Sequence, residues 1–304
     1  MDRKIALLFS VFFISSPSGL VAKPGLTPNE VVASASPADW KEISTSDLLV
    51  MELAADSASK QPRRVVMQLM PAPFSQGWIR NIRRLSAAAW WKKSAIVRVQ
   101  DNYVVQWGDP DAEDSQKAAA LPANLERMHE VDYVVPKALL QTKGFSDAYA
   151  KRTGFIDGWP VAGDDKSTWP AHCYGALGVG RNLSPDAGSG AELYVVIGHA
   201  PRHLDRNIAV VGRVIDGMEH LTSLPRGSRP LGFYESENER VAIKSIQLMR
   251  DIPAKERIRY AYLDTKSDVF RRYVQVRANR KDAFYFSPAG GVDLCNVQVP
   301  IRKQ

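Results

Sequence analysis

Apolar positions recur along this chain with two different periods. Residues Leu48–Leu53 and 64–69 are β-rich runs separated by the polar stretch 55–63, and the second alternates through Val65, Met67 and Leu69, which predicts a first hairpin. Pro71 and Pro73 end it. From Ser75, a residue type that caps helices, the spacing changes. Trp78, Ile82, Leu85 and Ala89 stand at i, i+4, i+7 and i+11, with Arg80, Arg83 and Arg84 on the wet side, so an amphipathic helix is expected there. Two short β-branched runs follow within residues 95–109, broken by Gln100, Asp101 and Asn102, the composition of a second hairpin.

From 110 to about 168 neither period is sustained, and the segment reads as an insertion with some local helix or strand. Regularity returns at His172. Residues 193–197 and 208–214 are near-continuous apolar strands, joined by a stretch rich in Gly, Pro and Arg. Residues 216–224 read as a short helix with Met218, Leu221 and Thr222 inward, and Val241–Leu248 as a last strand. Beyond about Pro253 lies a tail with an amphipathic helix near 268–277 and turns ending at 297–301. Roughly eight strands arriving mostly as neighbouring hairpins, with two helices far apart in sequence, predict a mainly β fold: a closed eight-stranded antiparallel barrel capped by two helices.

The ends and the composition refine this. Arg3 and Lys4, the apolar run 5–14 and the small residues 15–22 have the pattern of a secretory signal over 1–22, its apolar run being shorter than the ~20 residues a spanning helix needs. Residues 23–43 read as a flexible N-terminal segment, 44–252 as the domain with its 110–168 insertion, and 253–304 as a C-terminal extension packed on the barrel. Export implies an oxidising compartment, where Cys173 and Cys295 either pair as one disulfide or stay as buried thiols. A net charge of +7 with acids scattered among the bases suits a solvated surface, so no nucleic-acid partner and no stable membrane insertion are expected. His199 and His203 are separated by Pro201, and His172 beside Cys173 lacks a third ligand, so neither a metal nor another cofactor nor a Cys–His nucleophile is expected.

The hairpin at 95–109 carries the candidate chemistry. An arginine cannot be deprotonated and a glutamine cannot be ionised, so Arg98 and Gln106 suit hydrogen-bond donation rather than general-base catalysis. Their cooperation depends on register. A two-residue loop at Asp101 and Asn102 pairs Arg98 with Val105 and puts Gln106 on the other face. A three-residue loop of Gln100, Asp101 and Asn102 pairs Arg98 with Val104 and Ile96 with Gln106, and the two side chains share a face. A joint site requires the second.

Residues 97–109, VRVQDNYVVQWGD, resemble the cyclophilin signature in which an arginine precedes a turn and an apolar-x-Gln-x-Gly-Asp string closes the hairpin. Residues 188–196, GSGAELYVV, are similar to the family's Ser-Gln-Phe-Phe-Ile strand, and 204–214, LDRNIAVVGRV, to its Leu-Asp…Val-Phe-Gly-x-Val. The segments come in the family's order and span about 48–249, with 110–168 as added material. The resemblance implies a cyclophilin-like barrel and peptidyl-prolyl cis-trans isomerase activity on X-Pro bonds of exported proteins, with proline-containing polypeptides as partners and no cofactor. It implies that Arg98 is the catalytic arginine and that Gln106 holds it or the substrate carbonyl. The resemblance likewise implies that Tyr103 and Val104 line the proline pocket, that Tyr194 forms its floor, and that Leu204 takes part in substrate binding. Gly180 and Arg181, with Asn182, fall where the family offers backbone hydrogen bonds to an extended peptide. Three positions depart: Glu192 stands where the family usually has Gln, His203 where many members have Trp, and Ile208 where they have His. These departures leave open an alternative, a catalytically weak or inactive cyclophilin-fold module that binds peptides as a chaperone. The oligomeric state is open.

Overall fold

Strands whose apolar residues occupy both faces need cover on both, and this governs how the chain is assembled. The computed structural model describes residues 25–56 and 60–304; the signal-type segment 1–22 lies outside the described residues. Eight strands close into a barrel. Going round it, Ala176–Val179 is followed by Leu193–Val196, Val104–Gly108, Ala95–Val99, Val241–Leu248, Leu48–Leu53, Arg63–Leu69 and Val210–Asp216, which closes back on Ala176–Val179. Every pairing is antiparallel. The short strand Ala176–Val179, with Gly178 in its middle, carries no period by which the sequence could mark it.

The first hairpin pairs Leu49 with Met67 and Met51 with Val65, and these side chains fill the barrel with Trp107, Leu193 and Val195. Leu48, Val50 and Val66 point the other way and are equally buried, in a second layer with Ile43, Met249, Ile252 and Tyr260. That layer lies beneath a three-stranded antiparallel sheet of Trp40–Ile43, Tyr260–Leu263 and Ile301–Lys303. The expectation of a flexible segment over 23–43 is corrected here. Thr27 and Glu30 cap one another's backbone at the start of a helix, Pro28–Ala33, and Trp40–Ile43 pairs with Tyr260–Leu263, so ordered structure begins well before Ser44.

Helix Gln76–Ala87 covers the barrel with Trp78, Ile79, Ile82 and Leu85. Ser75 does not cap it: the residue is left-handed at φ 54°, and its hydroxyl donates to the Val210 carbonyl at 2.7 Å. The helix ends before Ala89, also left-handed. Asn81, fully buried on this helix, donates to the Glu126 and Ser189 carbonyls and accepts from the Glu126 N–H, anchoring the insertion. The helix read over 216–224 is a single turn, Glu219–Thr222. Among the described residues no helix is long and apolar enough to cross a membrane.

The insertion is more regular than its sequence suggests. It forms a five-stranded antiparallel sheet in the order Val135–Pro136, Ser167–Pro170, Trp159–Gly163, Arg152–Ile156 and Thr142–Lys143. Phe155 meets Phe270 of helix Asp268–Ala278 edge-to-face at 5.0 Å, in a core shared with Val31, Leu263, Leu294 and Val297. Cys173 and Cys295 are bonded within this core and join the end of the insertion to the extension across 122 residues of sequence. A disulfide typically stabilises a fold by about 2–4 kcal/mol. Reduction, or Cys295→Ser, is therefore expected to lower the Tm by several degrees in thermal unfolding; an unchanged Tm would show that the extension holds without the bond.

Candidate active site

The second hairpin adopts neither register considered from the sequence. Arg98 lies directly opposite Gln106 and Val99 opposite Val105, around a turn of Asp101, Asn102 and Tyr103 in which Asn102 has φ 51°. A bulge between Ile96 and Arg98 then returns the pairing to Ile96 with Trp107. The bulge has a cause in the neighbouring loop. Tyr234 N donates to the Val97 carbonyl and Gly227 N to that of Val99, so a loop continues the ladder where strand Val241–Leu248 has stopped. The two side chains share a face as the candidate site requires, by a different turn from the one expected.

One row of directly opposed residues crosses four adjacent strands: Arg98, Gln106, Tyr194 and Gly178. It lies on the face opposite to Val105, Trp107, Leu193 and Val195, all fully buried. Arg98 Nη1 donates to Gln106 Oε1 at 2.9 Å, and Gln106 Nε2 donates to Glu192 Oε1, so the amide has one orientation between a cation and a carboxylate. Arg98 Nε donates to the Leu231 carbonyl at 2.6 Å and Nη2 to Gln100 Oε1. One N–H on each Nη is left without an acceptor among the described residues. The guanidinium lies 5.2 Å from the Phe233 ring centroid and 5.6 Å from that of Tyr103. Burial pushes its pKa below the ordinary arginine value, while Tyr103 and Glu192 pull the other way. Burial likewise raises the Glu192 carboxyl above the usual carboxylate range, against the Gln106 hydrogen bond and the Arg98 charge.

Tyr194 lies over Gly178, where a Cβ would come within 2.2 Å of the ring. Its hydroxyl reaches His172 Nε2 at 3.0 Å, and His172 Nδ1 reaches Asp205 Oδ1 at 3.0 Å. Asp205 also accepts from Trp169 and from Arg202, and Arg202 donates to Asp147 at 2.7 Å. Although burial raises the Asp205 carboxyl, its bonds to His172 and Arg202 bring it below the ordinary value. The His172 ring is held between the Asp205 carboxylate at Nδ1 and the Tyr194 hydroxyl at Nε2. The floor of the site is thus fixed from beneath by His172 and Asp205, and through Arg202 by Asp147 of the insertion.

The remaining expected residues are distributed around this row. Val104 shares the face of Gln106 and is buried, and Tyr103 and Ile208 are partly buried against the barrel core. Gly180 gives its N–H to the Glu192 carbonyl at 2.8 Å, and with Gly108 it forms the slot holding the Glu192 side chain; a Cβ at Gly180 would approach that chain to 2.7 Å. Its donor is spent, so its contribution is space. Arg181 donates to the Asn207 and Asn182 carbonyls and lines a shallow hollow with Leu183 and Ile208. His203 is exposed, and Leu204 ends the short 3-10 turn Arg202–Leu204. Sequence reasoning passed over Leu231, Phe233, Gln100 and the His172 support of Tyr194. Gly232, where a Cβ would meet Gln100 Cα at 2.6 Å, is the local trace of the loop that carries Phe233.

Comparison with known proteins gives the fold and the family. The crystal structure of the cyclophilin AquaCyp293 from Hirschia baltica is similar over 92% of this chain and 98% of its own, at 18% identity and a TM-score of 0.63. A cyclophilin-type peptidyl-prolyl cis-trans isomerase from Cryptosporidium parvum covers 66% of this chain and 97% of its own at 14% identity, with a TM-score of 0.39. No curated protein matches. The family described as cyclophilin type peptidyl-prolyl cis-trans isomerase/CLD matches residues 59–248, and the chain belongs to that family.

Proposed function

We propose that the chain catalyses cis–trans isomerisation of X-Pro bonds in polypeptides outside the cytoplasm, with Arg98 as the transition-state donor. The barrier, about 18–20 kcal/mol, comes from amide resonance that is lost as the bond twists. At the twisted geometry the proline nitrogen becomes pyramidal and gains a lone pair, so a fixed donor aimed at it binds that state better than either planar one. The observation that carries this reading is the pair of N–H groups left free on Arg98 while Gln106, Gln100 and the Leu231 carbonyl hold the guanidinium in place. Tyr103, Val104 and Tyr194 offer the pyrrolidine ring an apolar wall, where a hydrogen bond counts for more than in water. The Cys173–Cys295 bond and the signal-type N-terminus support an oxidising compartment.

A second reading is a peptide-binding module with little turnover. It is favoured by the cover over Arg98, three of whose five N–H groups are already committed, and by His203 and Ile208 in place of the family's usual Trp and His. Turnover separates the two. Arg98→Ala is expected to lower kcat/KM on a short X-Pro peptide by about a hundredfold, the size of effect seen on removing one fixed transition-state donor. A wild type without rate enhancement, or a variant as fast as wild type, leaves the binding module as the correct reading.

The raised pKa of Glu192 has a definite sign. Folding favours the protonated form, so the fold loses stability as pH rises from the ordinary value of 4.5 through the raised one. Glu192→Gln is expected to gain stability relative to wild type over that interval and to differ by a constant amount below it, measured as denaturant midpoints across the pH range. A difference independent of pH would mean that the carboxyl is not held in the buried bridge.

A further inference from the structure

A cavity of about 790 Å³, apart from the candidate active site, lies between the outer face of strand Val210–Asp216 and the elements that cover it. Its volume is in the range of small-molecule sites. Helices Pro28–Ala33 and Asp268–Ala278, the Cys173–Cys295 bond and residues 297–301 form the far wall. Most of the lining is apolar, including Val32, Met70, Ala171, Val210, Leu294 and Val299.

Three side chains in this wall carry donors without an acceptor among the described residues, Arg213, Trp159 and Arg277. Arg213 gives Nε and Nη2 to Gln68 Oε1 and Nη1 to the Gly158 carbonyl, which leaves one N–H on each Nη without an acceptor among the described residues. Its guanidinium stacks on Trp159, 4.4 Å from the ring centroid, and the Trp159 Nε1 is buried without an acceptor. Across the cavity the buried Nε of Arg277 also lacks one. No carboxylate forms an ion pair with Arg213 or Arg277 among the described residues. The two lining acids do not answer them: Asp216 accepts from Tyr260 and pairs with Lys303, and Glu219 is 75% exposed. Burial pushes the Arg213 guanidinium down to about 10, which leaves it charged at neutral pH.

A partly buried cation with no carboxylate partner among the described residues, beside further unanswered donors and an apolar chamber, is complementary to an amphipathic anion. We propose that this cavity binds an amphipathic carboxylate of the fatty-acid class, its head group on Arg213 and Trp159 and its hydrocarbon body along the apolar wall. The site is independent of the Arg98 reading.

Decanoate and decanol, titrated separately into the full-length oxidised protein by calorimetry, test it. Decanoate is expected to bind once and saturably, decanol at least about tenfold more weakly because it lacks the charge-assisted pairing. Arg213→Gln should weaken decanoate by a similar factor, and Arg98→Ala should leave it unchanged. Absence of saturable decanoate binding, equal affinity for decanol, or full affinity in a folded Arg213→Gln protein each overturns the proposal. Loss of decanoate binding in Arg98→Ala does so as well, by placing the ligand in the isomerase site. The comparison of the two ligands on wild type decides the matter even where a variant does not fold.

Discussion

The outer face of the barrel has to be covered, and most of this molecule follows from that constraint. Leu48, Val50 and Val66 are as fully buried outside the barrel as Leu49, Met51 and Val65 are within it. Burying each such side chain stabilises the fold by about 1.5–3 kcal/mol, so an eight-stranded barrel with this sequence and nothing outside it would leave a large apolar surface wet. The N-terminal strand, the C-terminal extension and the insertion sheet are the answer to that surface. Where the cover is polar, at Tyr194 and His172, it fixes a side chain; where it is partial, Arg98 keeps two N–H groups without an acceptor among the described residues; where it stands off, at Arg213, a cavity remains.

The same constraint explains what the sequence could and could not disclose. Val65, Met67 and Leu69 alternate because one strand edge of the pattern is interrupted by Arg64 and Gln68, and the hairpin is readable. Arg152–Ile156 and Trp159–Gly163 are buried on both faces and contain Gly154 and Pro160, so no alternation survives in them. Val135–Pro136 and Thr142–Lys143 are too short to show any period. The N-terminal helix did have a local mark, Thr27-Pro28 with Glu30 following, which the surrounding Pro, Ala and Ser obscured.

At the candidate site, residue identity was legible and register was not. Arg98 and Gln106 stand out as polar residues in a β-branched ribbon, whereas the bulge between Ile96 and Arg98 is imposed by backbone groups of Gly227 and Tyr234, more than a hundred residues away. Phe233 reaches Arg98 on that same distant loop. Nothing within the hairpin encodes either contact, because both belong to tertiary closure. His172 could be read as a packed residue, but its role under Tyr194 depends on Asp205 and Arg202 of a different turn.

The three-stranded sheet over the barrel bears on how the chain is made. Its strands come from Trp40–Ile43, Tyr260–Leu263 and Ile301–Lys303, and Tyr260 pairs with both Ile43 and Lys303. A sheet whose members stand this far apart in sequence is slow to nucleate, and it cannot form on a growing chain. The layer of Leu48, Val50 and Val66 lacks its cover of Met249, Ile252 and Tyr260 until the end of the chain is being made. Synthesis therefore delivers a long polypeptide with its native cover missing, which is the form that chaperones hold.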